Sequence, residues 1–234
     1  MLNTIKDLFH FDGTVLRNIV GTHLVSNYFD DLSDDPKDWQ EAKIATAGAQ
    51  AFHGTWLQEN VIDFVFHQRT FSKSRFSDGS LPVWYGSVEL ETTFYETLYH
   101  VKKHFMAHTP GLINTKSNTP IYFARGVFST LCQSALVDLR KHTHKAPFLV
   151  DKQQYQDTQA IGLKLSKEGF PGIITHSARK KQGTNLTIFT PAVLTTPKHT
   201  DDYLYEIDPA NLTQTKILEY HTKKVALTIT DDTL

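Results

Sequence analysis

The sequence predicts one domain of the α+β class, in which strands and helices mix without strict alternation. Three observations lead to this prediction. Segments of strand-like composition run along the whole chain, only three segments show helical periodicity, and these do not alternate with strands as in a doubly wound sheet. The 234 residues can bury a substantial core, and no stretch has the composition of an interdomain linker.

The first half of the chain shows both periodicities around one long turn-rich segment. Asp34-Asp35-Pro36 is a typical helix start, and the β-branched and aromatic residues of 60–67 favour a strand. The helix predicted at 90–106 has an apolar face at helical spacing, formed by Phe94, Leu98, Val101 and Phe105. The predicted elements are, in order, a strand at 14–21, a helix at 34–46, a strand at 60–67, a loop at 69–80, a strand at 81–87 and a helix at 90–106.

The second half of the chain is richer in strand patterns. Residues 120–139 indicate two strands joined near Arg125-Gly126. A polar tail begins near Pro197 and is interrupted by apolar segments at 203–208 and 216–220. The other predicted elements are a helix at 157–169 that stops at Gly169, a buried strand at 172–175, a strand at 184–191 and an edge strand at 223–230.

Composition and charge exclude several classes of protein. The formal net charge is −1, with 24 basic and 25 acidic residues, so no overall field recruits nucleic acid or an anionic membrane. The single Cys132 cannot form an intrachain disulfide and is interpreted as a core thiol, which fits a reducing compartment. Because we recognise neither a signal peptide nor an apolar stretch of membrane-spanning length, we expect a cytoplasmic protein with no membrane partner.

Two arginines and a lysine crowd one predicted loop. Arg69 and Arg75 flank a segment that contains Lys73 and several hydroxyl side chains. A guanidinium group binds phosphate oxygens in a bidentate way and keeps its charge when partly desolvated. The loop is therefore a candidate clamp for a pyrophosphate, and pairing of both arginines with surface carboxylates is the alternative.

An aromatic strand and a helical carboxylate follow this loop. Neighbouring side chains of a strand point to opposite faces, so only one of Trp84 and Tyr85 faces the core and the other can stack on a ligand. Glu96 lies in the first turns of the amphipathic helix, where it is either a surface residue or a pocket group. Residues 176–179, His-Ser-Ala-Arg, directly follow the strand at 172–175, where functional loops commonly occur.

Two patterns that imitate functional motifs are interpreted as structural. Glu89-Leu-Glu91 places negative charge at a helix N-terminus, where it is favourable to the helix dipole. His100, His104 and His108 have the spacing of a metal-binding stripe. However, no His-Glu-x-x-His motif is present and the helix is predicted to end before His108, so we expect no metal site.

A series of segments in fixed order resembles the RES-domain family, which is named for its arginine, glutamate and serine. The segments are SRFSDG, VWYGS, TTFYE, YQDTQAIG, GIITHSAR and TNLTIF. The likeness extends from about Leu16 to Pro191, and LRNIVGTHLVSNYFDDL resembles the opening of the longer RES variants. The order and spacing of the segments carry the resemblance, since no single motif is specific.

The resemblance implies a fold similar to that of the ADP-ribosyltransferase toxins, with mixed, mostly antiparallel sheets and flanking helices. Many RES proteins are bacterial toxins that deplete NAD⁺ by hydrolysis or phosphorolysis and are held in check by an Xre-type antitoxin, whereas some relatives ADP-ribosylate a protein. NAD⁺ is then a substrate, inorganic phosphate is a candidate co-substrate, and no cofactor is expected.

Carried onto this sequence, the resemblance implies a set of site residues. The catalytic roles fall on Arg75, Tyr85 and Glu96, and the substrate-binding roles fall on Arg69, Ser177 and Asn185. Some family members carry a serine just before QAIG, where this chain has Gln156-Asp157-Thr158, so the functional serine stays open between the two positions. The two arginines would hold the pyrophosphate, the tyrosine would pack on nicotinamide or ribose, and the glutamate would stabilise positive charge on the ribose.

The resemblance also divides the chain and leaves three functions open. It implies an N-terminal extension at 1–15, a RES-like catalytic domain at 16–191 and a C-terminal extension at 192–234 that packs on the domain. The favoured function is that of an NAD⁺ glycohydrolase or NAD⁺ phosphorylase that acts as a toxin. The alternatives are a protein ADP-ribosyltransferase and a non-catalytic module that binds a dinucleotide or a partner protein.

Overall fold

A computed structural model of the chain describes residues 7–20, 59–67, 70–108 and 119–230. Within these ranges, eight strands form one sheet in the order β1-β2-β5-β4-β3-β6-β7-β8, and β1 also pairs with β3. The strands are β1 (Leu8–Val20), β2 (Trp84–Ser87), β3 (Ile121–Asp138), β4 (Gly172–His176), β5 (Thr184–Ile188), β6 (Lys198–Ile207), β7 (Gln214–Glu219) and β8 (Val225–Thr230).

The helices are few and lie between strands. A π-helical turn (Glu59–Asp63) leads into the single-turn helix α1 (Phe64–Phe66), and the two longer helices are α2 (Leu90–His108) and α3 (Gln156–Lys167). Short 3₁₀ turns follow β3 and β5 at Arg140–His142, Pro147–Val150 and Pro191–Val193. Among the described helices, none has the length and apolar character required to cross a membrane.

The strand pairings close a ring and leave three strands outside it. β1, β2, β5, β4 and β3 pair in succession, and β3 returns to β1 along 13 residue pairs from Leu8↔Val137 to Val20↔Arg125. The β3–β4 contact is the parallel one, and every other pairing is antiparallel. The predicted α+β class with a mostly antiparallel sheet is therefore confirmed.

Apolar side chains fix the two long helices to this sheet. The predicted face of α2 is buried at Phe94, Leu98 and Val101, where it packs among residues of β6 to β8 such as Tyr205 and Ile217. The packing of α3 centres on Leu165, which joins a second core with residues of β3, β4 and the loop before β2. The helices are thereby held at fixed positions against the strand ends. Phe105 lies where the structure describes only the backbone.

The prediction of a strand at 60–67 is wrong, because these residues form the π-helical turn and α1. Val61 and Ile62 are buried against Phe128, and the indole N–H of Trp84 donates to the carbonyl oxygen of Val61 at 2.7 Å. A short apolar run satisfies a helix or a strand equally well, and here packing against β3 decides in favour of the helix.

Two further boundaries differ from the predictions. The prediction of two strands joined near Arg125-Gly126 is wrong, because residues 121–138 form one continuous strand. The pairing of this strand with β6 shifts register between Val127 and Phe128. β1 begins at Leu8, and α2 continues to His108. The predicted helix at 34–46 lies outside the described residues.

The division of the chain into 1–15, 16–191 and 192–234 stays a prediction. β1 runs from Leu8 to Val20 across the first of these boundaries. The three strands of the tail, β6 to β8, continue the sheet outward from β3.

Candidate active site

One cavity of about 680 Å³ opens where β1, β2 and β5 meet α2 and the loop before β2. Its volume is typical of a site for a small molecule or a dinucleotide. Among its lining residues are five cationic side chains and one carboxylate: Arg17, Lys73, Arg75, Lys103, Arg179 and Glu96. This excess of positive charge favours an anionic ligand.

Glu96 supplies the carboxylate of the cavity from the second turn of α2. Its Oε1 accepts hydrogen bonds from Ser177 Oγ and from Asn185 Nδ2, each at 2.6 Å. No described residue donates to Oε2. One carboxylate oxygen is thus tied down by the protein, and the other is available to a ligand.

Ser177 and Asn185 are themselves held in place. The hydroxyl of Ser177 accepts from the backbone N–H groups of Arg179 and Lys180, each at 3.0 Å, which leaves its proton for Glu96. Asn185 accepts from Ser87 Oγ at 2.7 Å, across the β2–β5 pair. Since Asn185 Oδ1 is an acceptor for Ser87, its Nδ2 must face Glu96.

Arg75 enters the cavity without a carboxylate partner. Its NH1 donates to the backbone carbonyl oxygens of Asp151 at 2.7 Å and Leu149 at 3.4 Å. Its guanidinium lies 4.7 Å from the ring centroid of Tyr155. Burial lowers the pKa of Arg75 from its ordinary value, and the charge of Glu96 offsets only part of this effect.

Arg179 is the second cation near Tyr155. It is 4% exposed, and its NH2 donates to the carbonyl oxygen of Lys152 at 2.6 Å and to the phenol oxygen of Tyr155 at 3.0 Å. Its guanidinium also stacks on Tyr99, 3.5 Å from the ring centroid. Carbonyl oxygens and aromatic faces orient both arginines while their positive charge stays available.

Tyr85 lines the cavity and anchors the loop that carries Arg75. Its phenol oxygen accepts from the backbone N–H of Phe76 and shares a hydrogen bond with Ser74 Oγ, both at 2.9 Å. Burial raises the pKa of Tyr85 to about 12, so the phenol stays protonated. Trp84 is fully buried in the core on the opposite face of β2, whereas Tyr85 is partly buried and packs beside a second core around Phe76 and Leu165.

A glycine of α3 allows the Arg75 loop to sit against the helix. A Cβ atom at Gly162 would lie 2.0 Å from the carbonyl oxygen of Phe76, so no side chain fits there. Gln159, one turn earlier, donates its side-chain N–H to the carbonyl oxygen of Ser74 at 2.9 Å. The resembling segment YQDTQAIG therefore shapes the loop that precedes Tyr85.

Arg17 is a cavity residue that sequence reasoning missed. Arg17 is half-buried and lies 5.3 Å from the Trp84 ring centroid, and its buried NH1 has no hydrogen-bond partner among the described residues. Burial lowers its pKa to about 10. A usable signal was present, since Arg17 has the same strand phase as the fully buried Val15 and is thus a charge on an inward face.

The predicted site residues fall into three groups. Arg75, Tyr85, Glu96 and Asn185 line the cavity, and Ser177 contacts Glu96 from behind it. Arg69 lies outside the described residues. At the alternative serine position, Thr158 is fully buried and donates to the carbonyl oxygen of Tyr155 at 3.0 Å, away from the cavity lining.

The patterns that the sequence analysis interprets as structural make contacts within the fold. Glu89 Oε2 accepts from the hydroxyl of Thr92 at 2.8 Å near the start of α2, and Glu91 forms an ion pair with Lys180 at 2.7 Å. Burial raises the pKa of Cys132 to about 11, so the thiol stays protonated. No group of three or more potential metal ligands occurs among the residues that the structure describes.

Comparisons with known proteins identify the family. The RES domain model matches residues 63–208, more than half of the chain. The chain therefore belongs to the RES domain family.

Solved structures and curated proteins were also compared with the chain. The chain resembles a chain in the crystal structure of the M. tuberculosis MbcT-MbcA toxin-antitoxin complex, with 10% identity, a TM-score of 0.44 and coverage of 88% of this chain and 89% of that chain. A search of curated proteins finds no match.

Proposed function

We propose that this RES-domain protein consumes NAD⁺ by breaking the bond between nicotinamide and ribose. One observation carries the proposal: the Glu96 carboxylate, held through Oε1 by Ser177 and Asn185, lies in the same cavity as the unneutralised Arg75. A carboxylate beside a cationic surface suits a ligand that has an anionic diphosphate and a sugar that becomes positive during reaction. Membership of the RES family supports the same reaction.

The reaction needs little help at the leaving group. Nicotinamide is already cationic in NAD⁺, and it takes the electron pair of the bond to the ribose C1′ as that bond breaks. The ribose then carries oxocarbenium-like charge, which a nearby carboxylate stabilises as in glycoside hydrolysis. An oxygen of water or phosphate then bonds to C1′. With water as the acceptor, one proton is released to solvent, whereas phosphate bonds through an oxygen that carries no proton.

Glu96 has the geometry for this role because its two oxygens differ. Oε1 is occupied by Ser177 and Asn185, so the carboxylate cannot rotate freely toward solvent. Oε2, which receives no donor from the described residues, can face the ribose or orient the incoming acceptor. Preorganisation of this kind lowers the barrier because no reorganisation is needed while charge develops.

The cationic and aromatic residues of the cavity can bind the parts of the ligand that Glu96 does not contact. Arg75 and Arg179 can bind the diphosphate through N–H groups that their carbonyl partners leave free. Arg17 adds a further cation without an anion among the described residues, and the role of Arg69 stays a prediction. The Tyr85 ring offers an apolar surface for nicotinamide or ribose.

We further propose that the activity serves as the toxin of a toxin–antitoxin pair. The family resemblance supports this role and an Xre-type antitoxin as the partner. Either water or inorganic phosphate serves as the acceptor in this proposal.

The test is nicotinamide release from NAD⁺ by the purified protein, with and without inorganic phosphate. We expect ADP-ribose without phosphate, or a phosphorylated ADP-ribose with it. Glu96→Gln should lower kcat by about 10²-fold or more, because the charge opposite the ribose is lost. Glu91→Gln is the matched control on the same helix, since Glu91 pairs with Lys180 and does not line the cavity.

Three results would contradict parts of this proposal. Absence of nicotinamide release under both conditions would overturn the enzyme assignment, and near wild-type turnover of Glu96→Gln would remove Glu96 from its role. Transfer of labelled ADP-ribose to a lysate protein would instead establish a protein ADP-ribosyltransferase. In cells, induced expression should lower NAD⁺ and stop growth, and Glu96→Gln should do neither.

A further inference from the structure

Tyr155 contacts two of the three cavity arginines, Arg75 and Arg179, neither of which forms an ion pair with a described carboxylate. Its ring lies under the Arg75 guanidinium at 4.7 Å, and its phenol oxygen accepts from Arg179 NH2 at 3.0 Å. The same phenol donates to the carbonyl oxygen of Lys152 at 3.1 Å, and the Arg179 guanidinium also stacks on the ring of Tyr99. One side chain thus uses its face for the first cation and its edge for the second.

The arginines need such a residue because they repel each other. Arg179 lies close enough to Arg75 to disfavour its charged form. Their hydrogen-bond partners, the carbonyl oxygens of Leu149, Asp151 and Lys152, carry no full negative charge. All three carbonyls belong to the segment 149–155, which ends at Tyr155. In the absence of ligand, the two like charges are therefore held beside each other by carbonyl dipoles and by the rings of Tyr155 and Tyr99. The charges of Glu96 and Asp151 also act on them, without forming an ion pair.

We propose, on the basis of the function proposed above, that Tyr155 is a positioning residue that sets the spacing of Arg75 and Arg179 for a diphosphate. Two guanidinium groups held at a fixed separation can bind both phosphoryl groups of one ligand without first being brought together. The ring supports Arg75 from one side, and the phenol fixes the direction of the Arg179 N–H groups. Tyr155 acts on binding of the diphosphate and has no part in the chemistry at Glu96.

Two substitutions separate the two contacts. Tyr155→Phe keeps the ring under Arg75 and removes the phenol, which accepts from Arg179 and donates to the carbonyl oxygen of Lys152 at 3.1 Å. Tyr155→Leu removes the ring contact as well. The control is Tyr122→Leu, because Tyr122 is 51% exposed and donates to Glu206 on the outer strands. Thermal unfolding followed by circular dichroism checks that each variant is folded.

The direct measurement is calorimetric titration of the full chain with ADP, which carries the diphosphate and lacks nicotinamide. The Kd for ADP should rise about 3-fold in Tyr155→Phe, because the hydrogen bond that orients Arg179 is lost. In Tyr155→Leu it should rise about 10-fold or more, because a desolvated cation–π contact is lost as well. With NAD⁺, the same graded rise should appear in KM while kcat changes by less than about 2-fold, as for uniform binding.

A second substrate distinguishes positioning from general damage. Nicotinamide riboside has the scissile bond and no diphosphate, so its kcat/KM should be the same in wild type and in Tyr155→Leu. A collapsed cavity would instead lower the turnover of both substrates by the same factor, and that result overturns the inference. Equal ADP affinity of wild type and Tyr155→Leu overturns it too.

The outcomes also separate this inference from the proposed function. If the wild type binds ADP and the variants weaken that binding in the predicted order, but no nicotinamide is released, the positioning role stands and the proposed reaction fails. If NAD⁺ is cleaved and the Tyr155 series binds ADP like the wild type, the reaction stands and the positioning role fails.

Discussion

Guanidinium groups are held in opposite ways in two regions of the molecule. The first region is the corner after β3, formed by Asp138 and Arg140, and the second is the cavity wall around Arg17 and Arg75. At the end of β3, Arg140 donates to both carboxylate oxygens of Asp138, from Nε at 2.9 Å and from NH2 at 2.8 Å. These bonds raise the pKa of Arg140. In the cavity, burial lowers the pKa of Arg17 and of Arg75 because no described carboxylate is paired with them.

The difference indicates what each arginine contributes. A cation paired with a buried carboxylate completes the native structure, and removal of either partner leaves an uncompensated charge. A buried cation without an anion costs stability in the free protein and becomes favourable only when an anion binds. Arg140 is therefore expected to stabilise the fold, and Arg17 and Arg75 to bind the ligand.

The largest effect is expected for Arg17→Met. Removal of an unpaired buried charge should leave the free energy of unfolding unchanged or raise it by about 1 kcal/mol. The kcat/KM for NAD⁺ should fall about 10²-fold, because a charge-assisted contact to the ligand is lost in a desolvated site. Chemical unfolding and nicotinamide release measure the two effects. A less stable protein with intact activity would reverse the comparison.

The opposite result is expected for Arg140→Leu. The buried Asp138 carboxylate loses its partner, so the free energy of unfolding should fall by about 2–3 kcal/mol. The kcat/KM for NAD⁺ should stay within about 2-fold of wild type at a temperature where both proteins are folded, as expected for a substitution away from the site. Urea unfolding and nicotinamide release test both parts, and loss of activity in a folded variant would contradict this division.

A smaller effect is expected for Tyr85→Phe, which should reduce both the stability of the fold and the binding of the ligand. The backbone N–H of Phe76 loses its acceptor, which should cost about 1 kcal/mol of stability. Because Arg75 lies between Ser74 and Phe76, the loop that carries it becomes less fixed, and KM for NAD⁺ should rise about 3-fold. Thermal unfolding and steady-state kinetics provide the readouts. A substitution of Trp84 could not separate stability from ligand binding in this way, because Trp84 is a core residue.

The smallest effect is expected for the pH dependence of stability that arises from the Asp138–Arg140 pair. Burial favours the neutral form of Asp138, but the hydrogen bonds and charge of Arg140 outweigh it and hold the pKa of Asp138 below its ordinary value of 3.8. A depressed folded-state pKa contributes stability at neutral pH, and this contribution is lost as pH falls through that pKa. Urea midpoints measured from neutral pH to below 3.8 should therefore fall less steeply for Asp138→Asn than for wild type. Parallel curves would show that Asp138 contributes no pH dependence.

Parts of the fold and site followed directly from local sequence patterns. The helical spacing of Phe94, Leu98 and Val101 predicted the buried face of α2, which the structure confirms. Strand alternation separated Trp84 from Tyr85. Short segments at 60–67 and 120–139 were assigned wrongly, because apolar composition alone does not distinguish a buried helical turn from a strand or show where a long strand bends.

The sequence by itself determined which residue types were present and how far apart Arg75, Tyr85 and Glu96 lie along the chain. Only the tertiary structure decided that Arg17, from a strand 58 residues before Arg75, shares their cavity. The same holds for Ser177 and Asn185, which reach the same oxygen of Glu96. The physical reason is that the ring of strand pairings brings β1, β2 and β5 together, and sequence periodicity reports the face of a strand without reporting its neighbours.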